Sequence, residues 1–224
     1  MKIGAITVGQ APRTDVTKDI MPIWGDKIEL LQAGALDGMT YEEIQKLAPA
    51  EGDQVLVSRM TDGREVTFAE RLILPNLQKC IDTLVSQGVS LIVFFCTGRF
   101  PADFRSNVPI IFPSMILEKL VPVLCGDSPL IVITPSKLQL KQTKEKWEKY
   151  VNGVSVVNAS PYGNIEEVKK ACEQIKKLEG SLVIMDCIGY TREMKHMVAN
   201  ETGKNVVLSR TLVARVIDEL ADIN

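Results

Sequence analysis

Leu91-Ile92-Val93-Phe94-Phe95-Cys96-Thr97-Gly98 is the stretch on which the fold turns. Five consecutive apolar residues, β-branched and aromatic among them, mark a strand covered on both faces, as in a parallel sheet. A cysteine and a glycine then leave that strand for a loop. A second stretch repeats the arrangement, with Leu182-Val183-Ile184-Met185 running into Asp186-Cys187-Ile188-Gly189. In an open α/β sheet, ligands bind beyond the carboxyl ends of the strands. Two thiols delivered there from two halves of a chain suit chemistry that removes a proton from one face of a carbon and returns one to the other.

Outward from these stretches, strand-like runs alternate with amphipathic helices, the pattern of an α/β fold with a mostly parallel sheet. Residues 3–8 form the first strand, and Pro12 takes an N-terminal position in the helix that follows. Residues 28–31 are the second strand. Thr40-Tyr41-Glu42-Glu43 is a capping box, in which the threonine oxygen takes the third amide and the glutamate reaches back. Residues 55–59 and 65–68 flank Asp62-Gly63, a dipeptide that favours a tight hairpin turn; this hairpin interrupts the alternation as an insertion or edge flap. A helix over about residues 74–87 precedes the first cysteine strand. Residues 109–112 are a short strand and 114–124 a helix. The second half opens with a strand at 130–134. A second capping box, Ser136-Lys137-Leu138-Gln139, starts a helix to about Tyr150. There follow a strand at 154–157, a helix over 164–178 capped by Asn164, the second cysteine strand, a helix from Thr191, a strand at 205–208 and a last helix opening at Ser209.

The 224 residues, 46% hydrophobic and 24% charged with a formal net charge of −2, suit one large α/β domain or two small lobes sharing a cleft. So even a charge leaves no electrostatic footprint for nucleic acid or an anionic membrane. Between Lys137 and Lys149 the lysines alternate with Glu145 and Glu148, as on a solvated helix face. No run approaches the ~18 apolar residues of a membrane span, and Met1-Lys2 leads straight into a strand, so a cytoplasmic location is expected. Five cysteines with no CxxC pair, and a single histidine, argue against a disulfide framework and against a zinc site. Cys80, Cys125 and Cys172 fall where packing explains them, and His196 falls on an amphipathic helix as a surface residue. Neither GxGxxG nor GxxxxGK[ST] occurs, so no nucleotide cofactor is expected, and no metal.

Around the two thiols, several residues are candidates for holding substrate. Backbone amides of Thr97 and Gly98, and of Gly189, Tyr190 and Thr191 at a helix start, form a cradle for a carboxylate. The hydroxyls of Thr7, Thr97 and Thr191 add polar contacts. Gln10 and Arg13 share the Gly-Gln-Ala-Pro-Arg loop, where Arg13 is placed to clamp a carboxylate with both arms. Arg210 starts the last helix, and Arg99 lies three residues past Cys96, where its charge favours a thiolate. Asp186 either opposes ionisation of Cys187 through its like charge or turns away to cap a loop amide.

Four segments together resemble the AroM family: Thr7-Val8-Gly9-Gln10-Ala11-Pro12-Arg13, Gly34-Ala35-Leu36-Asp37-Gly38, Met185-Asp186-Cys187-Ile188-Gly189, and Leu208-Ser209-Arg210-Thr211-Leu212-Val213-Ala214-Arg215. The likeness runs over essentially the whole chain, and that family is similar to the aspartate/glutamate/hydantoin racemase superfamily. The resemblance implies two Rossmann-like (flavodoxin-like) lobes with mostly parallel sheets, related by a pseudo-twofold axis, with the active site in the cleft between them. The last helix returns to the first lobe, giving residues 1–113 plus 209–224 as one lobe and 114–208 as the other. Racemases of this type use one cysteine per lobe, and Cys96-Thr97-Gly98 and Cys187-Ile188-Gly189 occupy the matching places. Gly9-Gln10 stands where amino-acid racemases carry Asp-Ser. Cys187-Ile188-Gly189 stands where they carry Cys-Thr-His, and is closer to the hydantoin-racemase type. The expected activity is a cofactor-independent racemase or epimerase of a small carboxylate-bearing or cyclic amide substrate, with Cys96 and Cys187 as the acid/base pair. The alternatives are a one-cysteine decarboxylase or cis-trans isomerase of small dicarboxylates, and a non-catalytic metabolite-binding protein. The expected partner is a small organic acid or amide, with neither nucleic acid nor membrane, and a homodimer is compatible with this reading.

Overall fold

The computed structural model describes residues 1–100 and 103–221. The chain divides into two compact units, one comprising Met1–Ser114 and the segment from Ala214, the other Met115–Val213. Residues 101–102 and 222–224, which the sequence assigns to the first lobe, lie outside the described residues.

The first unit contains, in order, β1 (Lys2–Thr7), α1 (Thr14–Trp24), β2 (Glu29–Gly34), α2 (Tyr41–Gln45), β3 (Val55–Arg59), β4 (Glu65–Ala69), α3 (Glu70–Ser86), β5 (Leu91–Phe94) and β6 (Ile110–Ile111). Its main sheet has the order β2-β1-β5-β6 and is parallel throughout, while β3 and β4 form a separate antiparallel hairpin. Every residue of β5 is buried, as the unbroken apolar run requires. One face of the sheet packs on Ile73, Leu77, Ile81 and Leu84 of α3. Beyond the strand ends, the rings of Phe100, Phe104 and Phe112 gather around Phe94, with centroids 5.0, 5.7 and 4.8 Å away. The division between units falls within α4 (Pro113–Cys125).

The second unit continues with β7 (Leu130–Thr134), α5 (Leu140–Trp147), β8 (Val154–Asn158), α6 (Ile165–Ile175), β9 (Leu182–Met185), α7 (Arg192–Thr202) and β10 (Asn205–Leu208), and the chain leaves it through α8 (Ser209–Ala221). Its sheet order is β10-β9-β7-β8, again all parallel. Numbered by appearance within its own four-stranded sheet, each reads second, first, third, fourth. The two units therefore share one strand topology, and each cysteine follows the third strand. The far part of α8 belongs to the first unit, where the Trp24 indole N–H donates to the Ala214 carbonyl (2.9 Å) and Lys27 pairs with Asp218 (3.1 Å).

Several local expectations need correction. Pro12 is not in the first turn of α1: Arg13 takes the N-cap position and Thr14 is the first helical residue. Helix α3 starts at Glu70, directly off β4, and contains Pro75; burial of Ile73 and Leu77 outweighs the one backbone bond that proline forgoes. The Thr40 capping box forms, with reciprocal bonds of 3.2 and 2.7 Å to Glu43. Ser136 forms none: its hydroxyl takes the Leu138 amide (3.2 Å) and opens a 3-10 turn ahead of α5. Asn164 does cap α6, but the Glu167 carboxylate turns back to the Ser160 amide (3.2 Å).

Glu70, at the head of α3, is 9% exposed, and burial holds its carboxyl above the usual value of 4.5. A carboxyl raised in the folded state contributes stability below its unfolded value, and that contribution is lost as pH rises through the folded one. Glu70→Gln is therefore expected to stabilise the protein at neutral pH, by less than about 1 kcal/mol, since the carboxyl is raised by burial alone. The gap should close near pH 4.5 and below, as urea denaturation at several pH values would show.

Candidate active site

Each cysteine is placed by the same register. In the first unit Ile6 of β1 lies opposite Phe94 of β5; the Phe95 amide then donates to the Ile6 carbonyl (2.7 Å) and Cys96 follows. In the second unit Ile133 of β7 lies opposite Met185 of β9; the Asp186 amide donates to the Ile133 carbonyl (2.9 Å) and Cys187 follows. Each thiol is thus the second residue past its strand. The next turn is also shared: Cys96 Sγ accepts the Gly98 N–H and Cys187 Sγ accepts the Gly189 N–H, both at 3.3 Å. Both cysteines are partly exposed, whereas Cys80, Cys125 and Cys172 are buried. Burial pushes the Cys80 thiol up to about 11 and raises those of Cys125 and Cys172.

Cys96 packs against the apolar core of the first unit, as Cys187 does against that of the second. Leu56, from the hairpin, crowds Gly98 so closely that a Cβ there would come within 2.9 Å of its Cδ2. Thr97 is buried and Arg99 is exposed. The neighbouring loop after β1 is held by the hairpin, which is a structural wall here rather than a flap. The Gln10 amide donates to the Arg59 carbonyl (3.2 Å), and the Gln10 side-chain oxygen accepts from the Thr61 amide (3.0 Å) and hydroxyl (3.1 Å). Gln10 Nε2 bonds the carbonyls of Leu36 and Met39. Thr7 Oγ1 accepts from the Gly9 amide and from Arg13 Nη1. The two-armed fork of Arg13 already holds a carboxylate, that of Asp15, at 2.8 and 2.7 Å, and Arg13 is 3% exposed. Thr7, Gln10 and Arg13 are thereby brought together, with their polar atoms engaged inside the fold.

Around Cys187 the site is polar and braced from below. The charge of Asp186 is met from α5: its Oδ2 receives Lys146 Nζ (2.9 Å) and the Trp147 indole N–H (2.8 Å). The side chains of Lys146 and Asp186 are only 13% and 5% exposed, so this lysine does not belong to the solvated face that its charged neighbours suggest. Trp147 is wholly buried and shows which way the helix turns. Arg210 is also wholly buried. It donates from Nε to the Ile188 carbonyl and from Nη2 to the Gly189 carbonyl, both at 2.8 Å. Ser209 donates to the Met185 carbonyl at 2.6 Å. Tyr190, expected at the substrate, is buried and gives its hydroxyl to the Ala159 carbonyl (2.6 Å), while Thr191 caps α7 through the Met194 amide (3.2 Å). A Cβ on Gly189 would fall 2.5 Å from the Tyr162 hydroxyl. Tyr162 thus stands at the mouth of this loop, as no sequence motif indicated; its partner in that placement, Gly189, was the only available clue.

Among the described residues no three His, Cys, Asp or Glu side chains gather as a metal site, and no helix is long and apolar enough to cross a membrane.

Two parallel-sheet α/β units of one strand topology are the fold class of the racemase-like proteins, and solved structures share that fold. Aspartate racemase from Picrophilus torridus aligns with a TM-score of 0.63 at 12% identity, over 99% of this chain and 94% of that one. The maleate isomerase Iso from Pseudomonas putida S16 gives 0.64 at 11%, over 99% and 93%. Glutamate racemase from Aquifex pyrophilus gives 0.61 at 18%, over 98% and 84%. The family model described as AroM protein matches residues 3–221, and the chain belongs to the AroM family. Among curated proteins no sequence match is found.

Proposed function

We propose that this protein is a cofactor-independent racemase or epimerase of a small carboxylate-bearing or cyclic amide substrate, with Cys96 and Cys187 exchanging protons with the substrate carbon. The observation that carries this reading is the repeated loop: in each unit a partly exposed thiol, the second residue past the third strand, accepts the N–H of the glycine two residues on. A hydrogen bond donated to sulfur favours the thiolate, which is the form that acts as a base. With one cysteine ionised and the other protonated, the thiolate takes the proton from carbon and the thiol delivers its own to the opposite face. The roles are then reversed for the return reaction. The Gly98 and Gly189 amides serve the sulfurs, and the Thr97 amide, in the same loop as Cys96, is the donor for a substrate carboxylate or for the enolate oxygen that forms when the proton leaves. Asp15 and Lys146 are partners of residues in this machinery and do not themselves exchange protons with the substrate. The likeness to racemases and to a maleate isomerase is consistent with this chemistry.

A second reading has its own observation. The Cys187 loop is tied down by Ser209 and Arg210, which favours a one-cysteine enzyme, a decarboxylase or cis-trans isomerase of small dicarboxylates, using Cys187 alone.

Incubation in D₂O with a panel of amino acids, hydantoins and small dicarboxylates separates these readings. Exchange at the substrate α-carbon that Cys96→Ser and Cys187→Ser each reduce by a factor of about 100 or more supports the two-thiol mechanism. Turnover that survives Cys96→Ser and fails in Cys187→Ser supports the one-cysteine enzyme. No exchange with any member, beside an acid that still raises the melting temperature, assigns the protein to metabolite binding.

A further inference from the structure

We propose that Arg210 is the positioning residue of Cys187: by holding the Ile188–Gly189 peptide at its oxygen, its guanidinium turns the N–H of that same peptide onto the cysteine sulfur. A trans peptide points its C=O and N–H in opposite directions, and the Ile188–Gly189 bond is trans. The oxygen of this unit accepts from Arg210 Nε at 2.8 Å, and its nitrogen donates to Cys187 Sγ at 3.3 Å. One rigid plane therefore links a buried cation to the reactive sulfur.

The second arm of the same fork takes the Gly189 carbonyl (2.8 Å), which fixes the next peptide as well; its nitrogen, on Tyr190, donates back to the Cys187 carbonyl (3.4 Å). Ser209, one residue earlier, holds the Met185 carbonyl on the other side of the cysteine. The start of α8 thus grips the chain both before and after Cys187. Arg210 acts through the backbone and does not touch a substrate, since it is wholly buried. Its charge and the amide it orients act in the same direction, toward the thiolate.

Charged and titratable groups on the elements around Cys187 include Asp186, balanced by Lys146 and Trp147 of α5, Tyr162 beside Gly189, Glu167 on the Ser160 amide, Tyr190 on the Ala159 carbonyl, and Arg192 and Glu193 in the first turn of α7. The bond to the Ile188–Gly189 peptide oxygen comes from Arg210 Nε. Removing Arg210 thus takes away the donors to the Ile188 and Gly189 carbonyls.

This inference rests on the reading of Cys187 as the reactive thiol, and its test needs no turnover. The wild-type protein, Arg210→Lys and Arg210→Met are treated with limiting iodoacetamide across the neutral-to-alkaline range, and the peptides containing Cys187 and Cys96 are quantified by mass spectrometry. The Cys187 labelling midpoint is expected to rise by about one pH unit in Arg210→Met and by less in Arg210→Lys, which keeps a cation but loses the fork. The Cys96 midpoint, in the other unit, should stay in place. An unmoved Cys187 midpoint in a folded variant overturns the proposal, as does an equal rise at both cysteines. Because a buried arginine can be needed for folding, the wild-type protein supplies the second arm by nitrogen NMR. The Gly189 amide should titrate with the Cys187 midpoint and lose that response in Cys187→Ser, and an amide indifferent to pH overturns the proposal. A failed deuterium exchange leaves these results standing, and a flat Arg210 response leaves the exchange reading standing.

Discussion

Asp186→Ala is expected to lower the unfolding free energy by about 3–5 kcal/mol, because removing one partner of a buried ion pair leaves the other charge stranded away from water. The stranded group is Lys146, whose side chain is 13% exposed, and the Trp147 indole N–H loses its acceptor at the same time. Lys146→Met should cost less, since the indole still donates to the carboxylate. The double variant Lys146→Met/Asp186→Leu should recover much of the loss, because an apolar pair of similar volume carries no desolvation penalty. Urea denaturation of the four proteins checks this. A loss below about 1 kcal/mol in Asp186→Ala would mean that the pair behaves as a solvated one and does not anchor the residue before Cys187.

Gly9→Ala is expected to cost about 3 kcal/mol and to loosen the loop that carries Gln10 and Arg13. A methyl group at this position would stand 2.3 Å from the Ser58 hydroxyl and 2.5 Å from the Arg59 carbonyl. A side chain can swing aside, but a backbone oxygen in a paired strand cannot. The hairpin and the β1 loop must then separate, which breaks the bond from the Gln10 amide to Arg59 and weakens the contact of Arg13 with Ser58. The urea midpoint should fall, and limited proteolysis should cut the chain near Thr61 and Asp62 sooner than in the wild type. The obstacle is lack of space, so Gly9→Ser should behave no better. An alanine variant with an unchanged midpoint would show that the strand and loop can part without cost.

What the sequence made legible follows from periodicity and local chemistry. The runs at β5 and β9 are apolar throughout because both faces of each strand are covered, and a glycine two residues after Cys96 and after Cys187 marks the chain leaving the sheet. The Thr40 capping box needed only four neighbouring residues. Partners distant in sequence were not legible. Lys146 sits in a run of charged residues that looks solvated, and only Trp147, an anomalous bulk in that helix, hints that one side turns inward. Arg13 and Arg210 have the chemistry of carboxylate clamps, yet one holds Asp15 and the other holds backbone carbonyls, and no local pattern distinguishes those targets from a substrate. Pro75 hid the start of α3 for a related reason: the proline rule is local, and the burial that overrides it is not.

The Trp24 indole N–H finds its acceptor at Ala214, 190 residues further along the chain. This has a consequence for biosynthesis. A ribosome delivers the polypeptide in one direction, so the second unit, continuous from Met115 to Val213, has its whole sequence available before the first unit does. Until residues 214–221 emerge, the older portion of the nascent chain keeps a buried donor unanswered and an unfilled seat beside α1. Maturation therefore runs opposite to the order of synthesis at its last step: the part made first is the part closed last.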